Sequence, residues 1–160
     1  SKALRITLAD GKVYIAKVLK RDRIKQIALL KIDTETPDFF DLNKTTDVKK
    51  GDWALAIANP FKVADGNEEM SVNLGVVSMM TELEVKRRSQ EVEFEGKAIL
   101  IDAITGNPGS QGGALVGIDG NLIGMIGKVL ENNNSYTVCI RYGTCESKRF
   151  DSCLFRCTSI

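Results

Sequence analysis

The chain has 160 residues, of which 43% are hydrophobic and 27% are charged, as is ordinary for a globular protein. Its 22 Lys and Arg residues nearly balance its 21 Asp and Glu residues, so the formal net charge is +1. This balance gives no global electrostatic reason to expect nucleic acid or a membrane as a partner. No stretch approaches the roughly 20 apolar residues of a membrane span. A chain of this length forms one domain or two small barrels that share an interface.

The composition also limits the chemistry, because the chain contains no histidine. Histidine is the usual general base at neutral pH and the commonest metal ligand. We therefore expect no cofactor and no metal at the functional site.

The four cysteines, Cys139, Cys145, Cys153 and Cys157, all lie near the C-terminus. Two disulfides, free thiols and a zinc site of thiolates are all compatible with this crowding.

Short β-type runs dominate the chain, and turn residues separate them. Asp10-Gly11 and Asp119-Gly120 are the two strongest hairpin signals. The tail, 144–160, favours a short helix, on which Cys153 and Cys157 share one face. Many short strands with regular turns predict an antiparallel barrel or sandwich. The predicted strands are Leu4–Leu8, Val13–Leu19, Ile27–Ile32, Trp53–Ile57, Leu74–Met80, Ile99–Ile104, Leu115–Ile118, Leu122–Ile126 and Tyr136–Ile140.

Three segments, in this order and spacing, resemble the HtrA/Deg branch of the trypsin-like serine proteases. The first is Leu8-Ala9-Asp10-Gly11-Lys12 followed by Ile27-Ala28-Leu29-Leu30-Lys31-Ile32, similar to that family's hairpin and triad-aspartate strand. The second runs from Gly51-Asp52-Trp53 to Asn59-Pro60-Phe61 and resembles the segment that closes the first barrel. The third, Asn107-Pro108-Gly109-Ser110-Gln111-Gly112-Gly113-Ala114-Leu115, resembles the nucleophile loop.

The resemblance implies an all-β fold of two six-stranded antiparallel barrels with the active site between them. Residues 1–60 would then form the later part of the first barrel, 61–143 the second barrel, and 144–160 a Cys-rich tail. The family's opening strands and its histidine-bearing turn have no counterpart in this sequence. We expect another chain or a preceding segment to complete the first barrel, because an open barrel exposes a strand edge and apolar core. A homo-oligomer is a weaker expectation from the same resemblance.

Two positions of the implied catalytic triad carry residues that do not suit the chemistry. The position of the carboxylate, just before the Ile27 strand, is Gln26. A neutral amide does not stabilise a developing imidazolium as a carboxylate does. The nucleophile position is Gln111 when the count starts from Asn107-Pro108-Gly109 or from Gly112-Gly113, and Ser110 when it starts from the upstream strand. A glutamine side chain is not a nucleophile.

Two binding features do not need the triad. By resemblance, the backbone N–H groups of Gly109 and Gln111 form an oxyanion-hole-like nest. Likewise Ile126, Gly127 and Lys128 would form a strand edge that pairs with a peptide backbone. The sequence therefore favours a catalytically inactive protease homologue that binds a peptide or protein or acts as a structural subunit. The alternative is an active serine endopeptidase that uses Ser110 with a histidine outside this chain.

Overall fold

Ten β-strands and one short 3-10 helix make up the part of the chain that the structure describes. The structure is a computed structural model, and it describes residues 4–8, 10–25, 27–35, 39–44, 46–64, 68–85, 94–128, 137–140 and 153–156. The 3-10 helix is Pro60–Lys62. The strands are β1 (Leu4–Thr7), β2 (Val13–Asp22), β3 (Ile27–Lys31), β4 (Trp53–Ala58), β5 (Ser71–Val85), β6 (Phe94–Ile101), β7 (Ala114–Gly117), β8 (Leu122–Lys128), β9 (Thr137–Ile140) and β10 (Cys153–Arg156). This all-β architecture confirms the predicted fold class.

In the described part of the chain, the first sheet is an open sheet of four antiparallel strands in the order β1-β2-β3-β10. A hairpin joins β1 to β2, as the Asp10-Gly11 signal predicted. Gly11 adopts φ +75, which glycine tolerates readily, and the Asp10 side chain accepts a hydrogen bond from the Lys12 N–H at 3.0 Å. One face of the sheet carries the small first core, which consists of Ile6, Ala16, Ala28, Leu30 and Ile32.

The tail does not form the predicted helix around Cys153. Instead β10 pairs with β3, with Leu154 opposite Leu30 and Phe155 opposite Leu29. The expectation of a helix was wrong. It depended only on the i, i+4 spacing of two cysteines, whereas β3 offers an unpaired strand edge to which the tail can bind. The backbone groups of that edge of β3 gain hydrogen-bond partners when another strand pairs with it. Cys145 and Cys157 lie outside the described residues, so disulfides, free thiols and a zinc site all stand as alternatives.

The second sheet is a closed six-stranded barrel in the order β4-β5-β6-β9-β8-β7. The boundary predicted at residue 60 placed Trp53–Ile57 in the first barrel, and this placement was wrong. β4 pairs with β5 on one side and with β7 on the other, so it belongs to the closed barrel. Order along the chain could not reveal this, because β7 lies more than 50 residues away in sequence. The other boundaries proposed for the barrels and the tail stay predictions.

Strand alternation builds the core of the closed barrel. Ala54, Ala56 and Ala58 point inward from β4, and Leu115 points inward from β7, all of them buried. The small alanines leave room for larger side chains from the opposite wall. That wall contributes Val77, Ile99, Ile101, Ile123 and Ile126. The predicted β7–β8 hairpin is confirmed, with Gly120 at φ +81 in its turn.

Candidate active site

The loop that resembles a nucleophile loop lies between β6 and β7 and is tied to β8 by its backbone. The Gly112 N–H donates to the Ile126 carbonyl oxygen at 2.8 Å, and the Ile126 N–H donates to the Gly113 oxygen, also at 2.8 Å. Within the loop, the Ser110 N–H donates to the Asn107 oxygen at 3.1 Å and the Gly113 N–H to the Ser110 oxygen at 3.1 Å. These four bonds hold the loop as two successive tight turns against the end of the barrel.

Two glycines of this loop have backbone conformations that other residues rarely adopt. Gly109 has φ +92 and Gly112 has φ +86. Space is also limiting at Gly109, where a Cβ atom would lie 2.5 Å from the carbonyl oxygen of Asn59. At Gly113 a Cβ atom would collide with the carbonyl oxygen of Ile57. The Gly-rich sequence is therefore required both by the turns and by the close approach of β4.

The segment after β4 packs against the same loop. The Phe61 N–H donates a hydrogen bond to the Pro108 oxygen at 2.5 Å. The side chain of Asn59 closes this segment, since its amide donates to the Ala64 oxygen at 2.7 Å and its oxygen accepts from the Ala64 N–H at 2.9 Å. In a trans peptide the C=O and the following N–H point in opposite directions. The bond to Pro108 therefore directs the Gly109 N–H away from Phe61.

The two candidate nucleophile residues differ in their surroundings. Ser110 is buried, with 1% of its surface exposed, whereas Gln111 is half-buried. Within the described part of the chain, neither the Ser110 hydroxyl group nor the N–H groups of Gly109 and Gln111 make a hydrogen bond. The loop therefore presents Gln111 rather than Ser110 toward the surface, next to two backbone donors that no described group uses.

The predicted peptide-binding edge lies directly beside this loop on β8. Ile126 uses both its N–H and its carbonyl oxygen in bonds to the loop, so neither group is available to an added strand. β9 occupies the opposite side of β8, with Gly127 opposite Val138 and Lys128 opposite Thr137. Backbone groups of successive residues in a strand point to alternate sides. The backbone groups of Lys128 therefore point to the same side as those of Ile126, beyond the end of the loop.

The remaining catalytic position lies outside the described residues, because Gln26 is not among them. Its neighbours form a turn in which the Asp22 carboxylate accepts a hydrogen bond from the Lys25 N–H at 2.9 Å.

No cluster of three or more metal-ligating side chains occurs among the described residues. In that same part of the chain, no helix has the length and the apolar character needed to cross a membrane.

Sequence reasoning missed two carboxylates that fix the frame of the site. Asp102 follows β6, and its Oδ1 accepts the Val76 N–H at 2.6 Å, which joins β5 to the start of the nucleophile segment. Asp119 accepts a hydrogen bond from the Thr46 hydroxyl group at 2.5 Å and another from the Asn121 amide at 3.0 Å. The Thr46 hydroxyl and the Asn121 groups hold the pKa of Asp119 below its ordinary value. The partners Val76 and Thr46 are distant in sequence from Asp102 and Asp119, so no local sequence pattern predicts these two hydrogen bonds.

Comparison with known proteins agrees with this architecture. The Trypsin-like peptidase domain family matches residues 1–125. The probable periplasmic serine endoprotease DegP-like of Chlamydia trachomatis is 34% identical over 135 residues, which is 83% of this chain and 24% of that protein. The corresponding protein of Rickettsia prowazekii is 34% identical over 126 residues, or 76% of this chain and 22% of its own. The chain thus spans about a quarter of the length of the curated relatives that it matches.

Solved structures give the same result. The HtrA-type protease AlgW with a decapeptide has a TM-score of 0.67 and 30% identity, and the match covers 86% of this chain and 40% of AlgW. The MamO protease domain of Magnetospirillum magneticum has a TM-score of 0.65 at 19% identity over 86% of this chain and 69% of its own, so it supports the fold alone. The chain belongs to the trypsin-like peptidase domain family, in its HtrA/DegP-type serine protease branch.

Proposed function

We propose that this chain is a catalytically inactive member of its family that binds extended peptide or protein segments. The observation that carries the proposal is the contrast between the two candidate nucleophiles. Ser110 is 1% exposed, so its hydroxyl group is out of reach of a peptide bond held at the surface. Gln111 is half-buried, next to the backbone donors of the loop, but its amide has no hydroxyl group that a base could convert into a nucleophile.

The active alternative also needs a general base. Acyl transfer by a serine requires such a base within about 3 Å of the hydroxyl group. The chain contains no histidine, so in the active alternative the histidine lies outside it. Lys25 lies at the turn before β3, where its N–H bonds Asp22, and it is exposed, so a solvated charge accounts for it.

Peptide binding is supported by groups that do not depend on catalysis. The N–H groups of Gly109 and Gln111 have no hydrogen-bond partner among the described residues, and such paired donors suit a carbonyl oxygen or a carboxylate. The alternation of β8 turns the backbone of Lys128 toward the same side. An extended peptide that added to this edge would gain main-chain hydrogen bonds. AlgW was solved with a decapeptide and with a tripeptide, which makes peptide the first ligand class to test.

The test of inactivity is labelling of the longest natural form of the protein with a fluorophosphonate probe, beside its Ser110→Ala variant and an active trypsin. We expect labelling of trypsin only. Labelling of this chain that disappears in Ser110→Ala would establish the alternative, a serine endopeptidase that uses Ser110. The Gln111→Ser variant adds a second comparison. We expect it to label weakly at most, because Gln26 occupies the carboxylate position of the triad.

The test of binding uses labelled β-casein, an extended and largely unstructured protein, as the probe. Lys128→Pro removes the N–H that β8 directs away from β9, while Lys128→Ala keeps it. Proline is tolerated in a strand where its missing N–H faces an unpaired edge. We expect Lys128→Pro to weaken casein binding and Lys128→Ala to leave it unchanged. Equal binding by both variants, with both shown to be folded, would exclude this edge as the binding site.

A further inference from the structure

Charge is unevenly distributed along this chain, although its total is nearly zero. Residues 1–31 contain nine Lys and Arg residues and two Asp and Glu residues, which gives +7. The remaining 129 residues contain 13 and 19, which gives −6 and restores the total of +1. The expectation from net charge, that neither nucleic acid nor membrane is a partner, assumed that the charges are mixed. Strong charge asymmetry between parts of a chain instead indicates an anionic partner for the basic part.

The fold gathers part of this charge on the outer face of the first sheet. Lys17 of β2 lies directly opposite Lys31 of β3. After a register shift in β2, Lys20 lies opposite Leu29, and all three lysines are exposed. The neighbours of Leu29 and Lys31 in sequence, Ala28 and Leu30, belong to the buried core, so alternation places these residues on the opposite face.

The pairing of Lys17 with Lys31 opposes folding. Like charges directly across a strand pair are about 5 Å apart at Cβ and destabilise the sheet. No salt bridge to Lys17, Lys20 or Lys31 occurs in the part of the chain that the structure describes. The acidic residue in β1–β3 is Asp22, at the far end of β2, where its carboxylate accepts the Lys25 N–H. An anionic partner would remove the repulsion that the fold leaves in place.

Aliphatic side chains share this face with the lysines. Ile15 is 68% exposed and Val13 is 59% exposed. Ile15 lies opposite Arg5, and Val13 lies opposite Thr7, so both belong to the outer side of the β1–β2 pair. We call Arg5, Val13, Ile15, Lys17, Lys20 and Lys31 the cationic face. Single exposed aliphatic residues are common, but here two neighbours lie at the border of a cluster of cations.

The mixture of groups distinguishes between anionic partners. Single-stranded nucleic acids bind to basic surfaces that also offer aromatic side chains for base stacking. The exposed apolar residues beside the lysines, Val13 and Ile15, are aliphatic, and the aromatic residue of β1–β3, Tyr14, packs against the core on the other face. An anionic bilayer attracts lysines to its surface, and its interface accepts aliphatic side chains. We infer that the cationic face binds the surface of an anionic lipid bilayer, without crossing it.

The inference is independent of the proposed peptide binding and is tested on the whole chain with lipid vesicles. Vesicles of phosphatidylcholine alone are compared with vesicles that also contain phosphatidylglycerol, by co-sedimentation at low and high salt. We expect binding to the anionic vesicles only, and we expect salt to reverse it. Equal binding to both kinds of vesicle, or no binding to either at low salt, would overturn the inference.

Variants identify the face. Each lysine near an anionic membrane strengthens binding about five-fold, so Lys17→Gln/Lys20→Gln/Lys31→Gln should weaken vesicle binding about 100-fold. The matched control, Lys44→Gln/Lys49→Gln/Lys50→Gln, removes the same charge from exposed positions outside the sheet and should bind as the parent chain does. Equal loss in both triple variants would show that net charge, rather than the cationic face, drives the binding.

A second pair of readouts separates a lipid surface from a general polyanion site. Ile15→Thr keeps a β-branched residue but removes apolar surface, so it should weaken vesicle binding while leaving the charge unchanged. Unchanged vesicle binding by Ile15→Thr, together with tight binding of a single-stranded oligonucleotide by the parent chain, would assign the face to nucleic acid instead.

Thermal unfolding tests the repulsion itself. Lys17→Gln should raise the melting temperature, because it removes the repulsion between Lys17 and Lys31. A lowered melting temperature would show that the Lys17–Lys31 pair does not destabilise the sheet.

Discussion

The carbonyl oxygen of Asn59 lies 2.5 Å from the point that a Cβ atom of Gly109 would occupy. Gly109 also has φ +92, so a side chain there meets both a collision and an unfavourable backbone conformation. The segment after β4 and the nucleophile loop are thus fitted to each other at the level of the backbone. This fit holds the Gly109 N–H in its direction whether or not the site performs chemistry.

We predict that Gly109→Ala destabilises the chain by about 3 kcal/mol, as measured by urea unfolding. About 1–2 kcal/mol comes from the left-handed conformation and the rest from displacement of Asn59. Gly11→Ala is the matched control, because Gly11 has φ +75 but no atom within 4 Å of its Cβ position. It should cost only about 1 kcal/mol. Similar losses for the two variants would mean that the contact with Asn59 carries no energy.

A second prediction concerns the core of the closed barrel. Leu115 is completely buried, whereas Leu74, on the outer side of β5, is 55% exposed. Leu115→Ala should lower the free energy of unfolding by about 2–5 kcal/mol, because it removes buried methyl groups and leaves a cavity. Leu74→Ala should change it by no more than about 0.5 kcal/mol. A large loss in Leu74→Ala would show that another surface covers the outer side of β5.

The strands and hairpins of this fold were predictable because their signals are local. Alternation of apolar residues and the two Asp-Gly turns identified β1, β2, β7 and β8 within a few residues. The assignment of β4 to the wrong barrel and of Cys153 to a helix failed for a shared reason. Both depend on which distant strand supplies the hydrogen bonds, namely β7 for β4 and β3 for β10. The pattern of apolar residues within one segment does not show which distant strand that segment pairs with.

The sequence predicted which residues form the candidate site, but not how they are buried or hydrogen-bonded. Motif spacing brought Gly109, Ser110 and Gln111 into one loop, but two residue counts assigned the nucleophile position differently. Burial of Ser110 and the bonds between Ile126 and the loop are three-dimensional facts that no spacing reveals. The cationic face was missed for another reason. The net charge of +1 hides a basic first sheet, and only the register shows that Lys17 faces Lys31.

A third prediction follows from the burial of Ser110. A buried hydroxyl group without a hydrogen-bond partner contributes little to stability, and its removal is nearly neutral or stabilising. Ser110→Ala should therefore change the free energy of unfolding by less than about 1 kcal/mol. Ser110→Asn, which places a larger polar group in the same space, should cost about 2 kcal/mol. A strongly destabilised Ser110→Ala would indicate that the hydroxyl group makes a hydrogen bond in the folded protein.

The last prediction concerns Asp119, whose carboxylate links the β7–β8 turn to Thr46 across 73 residues of sequence. Since the Thr46 and Asn121 groups bond the charged form, the pKa of Asp119 in the folded chain lies below its ordinary value of 3.8. A carboxylate with a lowered folded pKa stabilises the fold above its unfolded pKa. That stabilisation is lost as the pH falls through the folded value.

Thr46→Val removes the first of these hydrogen bonds, so the pKa of Asp119 should rise toward its ordinary value. The variant should be less stable than the parent chain at neutral pH, and the difference should shrink as the pH falls below 3.8 toward the folded pKa. Carboxyl NMR titration gives the pKa, and urea unfolding at several pH values gives the stability. Thr7→Val, at an exposed position of β1, is the control and should show no pH-dependent difference. A stability loss in Thr46→Val that stays constant down to the most acidic pH would instead assign the effect to packing of the Thr46 side chain.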